Sequence, residues 1–250
     1  MAQHPSKATT IAPLATIISV SQLTACAFAV LLIGIRPVLA GSKDAPCTED
    51  AMIVFDASGS MAGNVDQGIA TLRPRIDEVR AALAEILPTV TSTRRVGLIT
   101  YGPGPYQQCN VKLDLKPTAN ATNAIMRVVN SLTPSGRTPL TSAVAEAADV
   151  LDYRKSPGVI VVVTDGEETC GASPCDLGKK LHAAAEQLTV HIIGFRMKDY
   201  SWTGEGSVLD AKCLAEENNG LYISAENRDD LVAALKATLE CPIISEAGRK

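Results

Sequence analysis

Val159-Ile160-Val161-Val162-Val163-Thr164-Asp165-Gly166 is an unbroken β-branched run that ends on an acidic residue and a glycine. A half-exposed strand alternates apolar and polar residues. A continuous run is buried on both faces, as a central strand of a parallel sheet is. Working outward, strand-like and helix-like stretches alternate on either side. Upstream lie a short apolar strand at 51–55 and a helical pattern at 72–87, with Ile76, Val79, Leu83, Ile86 and Leu87 at helical spacing. Strands at 96–101 and 112–115 flank the turn-rich Gly102-Pro103-Gly104-Pro105, and helices follow at 120–132 and 139–152. Downstream come a helix at 174–187, a strand at 189–195, a helix at 208–218, a strand at 221–223 and a helix at 229–239. Alternation of this kind predicts one α/β domain with a doubly wound, Rossmann-like sheet and helices on both faces.

The 250 residues are 46% hydrophobic and 20% charged, which fits an ordinary globular chain. With 23 basic against 27 acidic groups there is no surplus of positive charge to neutralise phosphates, so nucleic acid is not the expected partner. Residues 8–35 carry no charged side chain, and the densest apolar part, 23–35, is too short to span a bilayer by itself. The run ends at Val38-Leu39-Ala40 before Gly41, the pattern of a signal-peptidase site. The expected organisation is a signal peptide at 1–40, a linker at 41–50, the domain at 51–240 and a tail at 241–250. Two other readings keep the segment: an uncleaved membrane anchor, or lipidation at Cys26 of Leu23-Thr24-Ala25-Cys26. All three export the domain to the periplasm or beyond. Cleavage removes Lys7 and Arg36, so 23 basic groups become 21 against 27 acidic, a balance of −6. It also removes Cys26 from seven cysteines, and the six that remain suit an oxidising compartment.

In a doubly wound sheet, ligands bind outside the carboxyl ends of strands at the topological switch point. Two strands here end in acid: 51–55 runs into Asp56-Ala57-Ser58-Gly59-Ser60-Met61, and the central one runs into Asp165-Gly166. Between them lies Gly136-Arg137-Thr138-Pro139-Leu140, with Thr138 expected as a helix N-cap and Pro139 as first helical residue. Asp56, Ser58 and Ser60 alternate in one tight loop, so three oxygen-bearing side chains can converge. Asp165 and the Thr138 hydroxyl would complete the set. An oxygen-only set without His or Cys suits a hard divalent cation: Mg²⁺, with Mn²⁺ or Ca²⁺ as alternatives.

Asp-Ala-Ser-Gly-Ser at 56–60, Gly-Arg-Thr-Pro-Leu at 136–140 and Thr-Asp-Gly at 164–166 together resemble the von Willebrand factor A domain with its metal-ion-dependent adhesion site. The likeness covers about 51–239. It implies a mostly parallel sheet with one short antiparallel strand, a role that 112–115 suits. It also implies metal ligation by Asp56, Ser58, Ser60, Thr138 and Asp165, directly or through water, and a protein partner that completes the coordination with an acidic side chain. The expected function is therefore a divalent-metal-dependent, adhesion-type binding module outside the cytoplasm.

An enzyme is the rival class, and a domain whose metal only stabilises its loops is a third. No nucleophile or base stands out: His182 falls in a helical pattern and His191 inside a strand, Gly102-Pro103-Gly104 lacks the third glycine of a dinucleotide loop, and no Gly-x-Ser-x-Gly elbow is present. Cys47 and Cys241 flank the domain and are paired on the expectation that domain ends lie close. Cys170 with Cys175 is expected as a local bridge bracing the loop after Asp165, which leaves Cys109 with Cys213. Tyr106 and Trp202, in Gly- and Pro-rich loops, are candidate rim residues for a partner, and Glu167 and Glu168 add loop acidity.

Overall fold

The structure, a computed structural model, describes residues 49–63, 74–105, 108–197 and 206–240. All of these belong to the unit Lys43–Lys250. Six strands form one sheet: β1 (Asp50–Asp56), β2 (Val96–Tyr101), β3 (Val111–Thr118), β4 (Pro157–Thr164), β5 (Gln187–Phe195) and β6 (Tyr222–Ala225), in the spatial order β3-β2-β1-β4-β5-β6. Every neighbouring pair is parallel except β2 with β3, which is antiparallel. The chain builds outward from β1 on one side, returns, and continues with β4 on the other. The switch point therefore lies between the carboxyl ends of β1 and β4. These two strands are buried along almost their whole length, as their unbroken apolar runs require.

Alternate residues of each strand serve opposite faces. Ile53, Phe55, Val161 and Val163 pack under α1 (Arg75–Thr93), α2 (Thr122–Ser131) and α6 (Arg228–Leu239), against Val79, Leu83, Ile125 and Leu235. Met52, Val54, Ile160 and Val162 face α3 (Leu140–Val150), α4 (Pro174–Ala184) and α5 (Gly206–Glu217), against Val144, Leu181 and Leu214. The sheet is thus mostly parallel, doubly wound and covered on both faces. No helix among the described residues is long and apolar enough to cross a membrane.

Two local expectations are corrected. Helix α1 passes through Pro88 and ends at Thr93, six residues beyond the predicted stop at 87. Proline forfeits the hydrogen bond to the carbonyl four residues back, but Pro88 and Ala84 are both exposed, so water can take that carbonyl. The antiparallel strand is twice the predicted length, and its pairing with β2 is irregular around Leu98. It lies at the sheet edge, and Pro117 falls in that irregular stretch, between the Val96–Thr118 and Leu98–Leu115 pairs, where the ladder is already interrupted.

Candidate metal centre

Asp56 closes β1 and has no exposed surface. The backbone N–H of Ser58 donates to its Oδ1 at 2.7 Å, and the Thr164 hydroxyl, from the end of β4, donates to its Oδ2 at 2.7 Å. The carboxylate is therefore held from both sides of the switch point. A 3-10 turn over Gly59–Ala62 then folds the loop back, with the Ser58 and Ser60 hydroxyl oxygens 3.0 Å apart. Ser60 donates to Asp165 Oδ1 at 2.6 Å, which joins the loop after β1 to the residue after β4. Ser58, Thr138 and Asp165 are buried, whereas Ser60 is exposed, so the cluster meets solvent on that side.

Thr138 reaches the cluster through backbone pairing. Ser58 and Gly136 form an isolated parallel bridge, Gly59 N–H donates to the Gly136 carbonyl at 3.0 Å, and Ser135 N–H donates to the Ala57 carbonyl at 3.2 Å. Thr138 N–H donates to Thr169 Oγ1 at 2.8 Å, and Thr169 N–H donates back to the Thr138 carbonyl at 3.0 Å. A methyl group placed on Gly166 would stand 3.5 Å from Ser60 Oγ and 3.8 Å from Thr138 Oγ1. The two hydroxyls thus face one small space beside Gly166, which a side chain there would fill.

Thr138 is not the cap of α3, contrary to expectation: the helix begins at Leu140, and neither Thr138 nor Pro139 caps it by its side chain. The orphan N–H of Thr141 is taken instead by Glu168 Oε2 at 2.8 Å, while Glu168 Oε1 accepts from Cys170 N–H at 2.6 Å. A carboxylate at a helix N-terminus also opposes the positive end of the dipole. Glu168, read from sequence only as added loop acidity, is half-buried in this role; Glu167 is exposed.

Burial first, and Asp165 second, raise the Asp56 carboxyl from 3.8 to about 6, against the hydrogen bonds from Ser58 and Thr164. Burial likewise raises Asp165, and the Ser60 hydroxyl and the Arg75 guanidinium pull the other way. The Arg75 Nη1 donates to Asp165 Oδ2 at 2.7 Å. The Tyr101 hydroxyl, at the end of β2, is fully buried without a hydrogen-bond partner among the described residues; burial and then the Asp56 charge raise its pKa. Two mutually repelling buried carboxylates, three converging hydroxyls and no nitrogen or sulfur donor form a set that fits a hard divalent cation. Among the described residues no cluster of three or more His, Cys, Asp and Glu offers a site of another kind.

The raised Asp56 pKa has a sign that can be tested. Its folded value lies above the unfolded one, so between pH 4 and 6 the native state holds more protons. Metal-free stability is therefore expected to fall as pH rises through that window, by about 3 kcal/mol in all, and to level off above it. Urea unfolding in EDTA should show a steeper slope in the wild type than in Asp56→Asn, in which the likewise raised Asp165 keeps a smaller one. An equal slope in both would trace the effect to groups other than Asp56.

The sequence missed Arg75, Thr164 and Tyr101 as members of this cluster. Thr164 and Tyr101 looked like ordinary strand ends, and Arg75 sits 90 positions from its partner. The cysteine pairing is also corrected. Cys109 is bonded to Cys170 and Cys175 to Cys213, with Cα separations of 6.0 and 5.1 Å, in place of Cys170–Cys175 and Cys109–Cys213. Cys175 is the second residue of α4, which packs on α5 where Cys213 lies, while Cys170 belongs to the preceding loop and meets the β2–β3 connection. Cys47, Cys241, Tyr106 and Trp202, like residues 1–40, lie outside the described residues.

Residues 51–168, which include all five candidate ligands, match the family model of the von Willebrand factor type A domain. The uncharacterised protein YwmC of Bacillus subtilis is 29% identical over 212 residues, 80% of this chain and 89% of that protein. An aerotolerance-related membrane protein from Bacteroides fragilis superposes with a TM-score of 0.55 at 19% identity, over 76% of this chain and 98% of that one. The pilus adhesin SpaC from Lactobacillus rhamnosus GG superposes with a TM-score of 0.57 at 15% identity, over 78% of this chain and 30% of that one. At these identities the structural likenesses speak for the fold alone, a von Willebrand factor A-like α/β sheet.

Proposed function

We propose, from a von Willebrand factor A domain whose carboxylates and hydroxyls converge at the sheet's switch point, that the protein binds a divalent cation and through it a protein partner. Ser58, Ser60 and Thr138 would hold the ion by their hydroxyls, with Asp56 and Asp165 supplying negative charge directly or through water. Mg²⁺ suits this hard set best, and Mn²⁺ or Ca²⁺ can replace it. When bound, the cation would supply Lewis acidity, and an acidic side chain of the partner would complete its coordination. The observation that carries the reading is the continuous chain of contacts from Ser58 to Ser60 to Asp165 across the switch point.

The same reading makes the protein a binding module rather than an enzyme. His191 Nδ1 accepts the Leu221 N–H on the sheet, with burial depressing its pKa, and His182 is an exposed residue of the last turn of α4. Neither offers a base to this site. Two disulfides favour an oxidising, extracytoplasmic compartment, as the export signal read at 1–40 implies.

Calorimetric titration of Mg²⁺ and Mn²⁺ into the purified protein tests the metal. The wild type is expected to bind one ion, and Asp56→Ala to lose at least tenfold in affinity. Absent binding, or binding that Asp56→Ala leaves untouched, would sink the metal centre. Affinity capture with Mg²⁺ against EDTA then separates a metal-dependent partner from a metal that only stabilises loops, since the latter recovers the same proteins under both conditions. Divalent-dependent turnover across phosphatase and peptidase substrates, abolished by Asp165→Ala, would instead favour an enzyme.

A further inference from the structure

We propose that Arg75 is a resident counter-cation of the site, holding Asp165 in the metal-free protein and setting how weakly the divalent ion binds. The inference rests on the metal-binding reading above and assigns a residue to its regulation.

Arg75 is the first residue of α1, where the helix dipole disfavours positive charge. The acidic residues of that first turn do not explain it. Asp77 is paired with Arg80 at 2.7 Å, and Glu78 with Arg196 at 2.8 Å. The Arg75 guanidinium goes instead to a carboxylate on the far side of the switch point, and the pair is largely withdrawn from water: the side chains of Arg75 and Asp165 are 15% and 0% exposed. Among the described residues it is the cation paired with the site's carboxylates.

The two oxygens of Asp165 are divided, Oδ1 to Ser60 and Oδ2 to Arg75. An ion that takes Asp165 directly competes with one of these donors. An ion held by the neighbouring hydroxyls instead feels a weakly screened like charge across the same carboxylate, because the pair is largely buried. Whether the guanidinium swings away or stays, its charge acts against that of the metal. Charge arithmetic points the same way. Two ionised aspartates and a divalent ion sum to zero, and Arg75 leaves the loaded site one positive charge in excess. A site so balanced releases its metal more readily and reserves tight loading for an anionic ligand, which returns the sum to zero.

The test is titration of Mn²⁺ into the full chain as wild type, Arg75→Gln, Arg75→Met and Arg75→Lys, with melting curves in EDTA and in saturating Mn²⁺. Arg75→Met keeps much of the aliphatic stem, which guards against a fold defect in the glutamine variant. Both neutral variants are expected to bind Mn²⁺ about tenfold more tightly than the wild type, with Arg75→Lys within threefold of it. Their melting temperatures should lie below the wild type in EDTA and rejoin it in Mn²⁺. A merely structural arginine would give unchanged or weaker binding in both neutral variants, and that result overturns the proposal while leaving the metal centre intact. Failure of the wild type itself to bind overturns both together.

Discussion

Gly102→Ala is expected to destabilise the protein by about 3 kcal/mol and to weaken metal binding with it. Gly102 follows β2 with φ at +80°, a conformation that costs alanine about 1 kcal/mol before any contact is counted. A Cβ there would stand 2.5 Å from Ser58 N and 2.6 Å from Ser58 Cα. Both atoms are backbone, so no rotamer relieves the overlap and a strand end must move. The glycine is also fixed by its own backbone hydrogen bonds: its N–H donates to the Asn110 carbonyl at 3.0 Å, and its carbonyl accepts from Gly136 N–H at 2.6 Å. The atoms displaced belong to the loop that carries Ser58 and to the segment that delivers Thr138. Urea unfolding in EDTA reads the stability, and Mn²⁺ calorimetry on the folded fraction reads the site. A loss below about 1 kcal/mol would show that the loop yields where the packing says it cannot.

Removing the Cys109–Cys170 bridge by paired serine substitution is the second large effect. The bridge closes a separation of 61 residues, worth about 4 kcal/mol in the chain-entropy treatment, whose mechanism is debated. Cys175–Cys213 closes 38 residues, for a value also near 4 kcal/mol on that scale, so stability alone does not distinguish the two. The site does. Cys170 follows Thr169, which is paired in both directions with Thr138, and Glu168, which caps α3. Cys175–Cys213 joins α4 to α5, and neither helix carries a candidate ligand. Loss of Cys109–Cys170 should lower both urea stability and Mn²⁺ affinity, the latter by about tenfold. Loss of Cys175–Cys213 should lower stability and leave affinity within twofold. Equal effects on the metal would remove the bracing role from the first bridge.

Much of this molecule was legible residue by residue. The run at 159–163 is readable as a central strand because a strand buried on both faces has no polar alternative, and β4 is buried as that run requires. Asp56, Ser58 and Ser60 are close in sequence, so one turn brings them together whatever the rest of the chain does. Other features were legible in kind and wrong in detail. The helical pattern read at 72–87 continues through Pro88 to Thr93, because the carbonyl that Pro88 leaves unpaired is exposed to water. Thr138 had the chemistry of a cap, but Thr169 claims its backbone and Glu168 does the capping.

What the sequence determined by itself was whatever depends on local periodicity and short spacing: the α/β alternation, the buried central strand, the acidic strand ends and the oxygen-rich loop. Tertiary structure alone decided which distant groups meet. Cys109 lies 61 positions from Cys170, and Arg75 lies 90 from Asp165. Such pairs leave no periodic trace, because their proximity follows from the order in which strands are laid beside β1. Electrostatics belongs to the same class. Burial and the charge of Asp165 raise Asp56 to about 6, and both come from β1 and β4 being neighbours at the centre of the sheet.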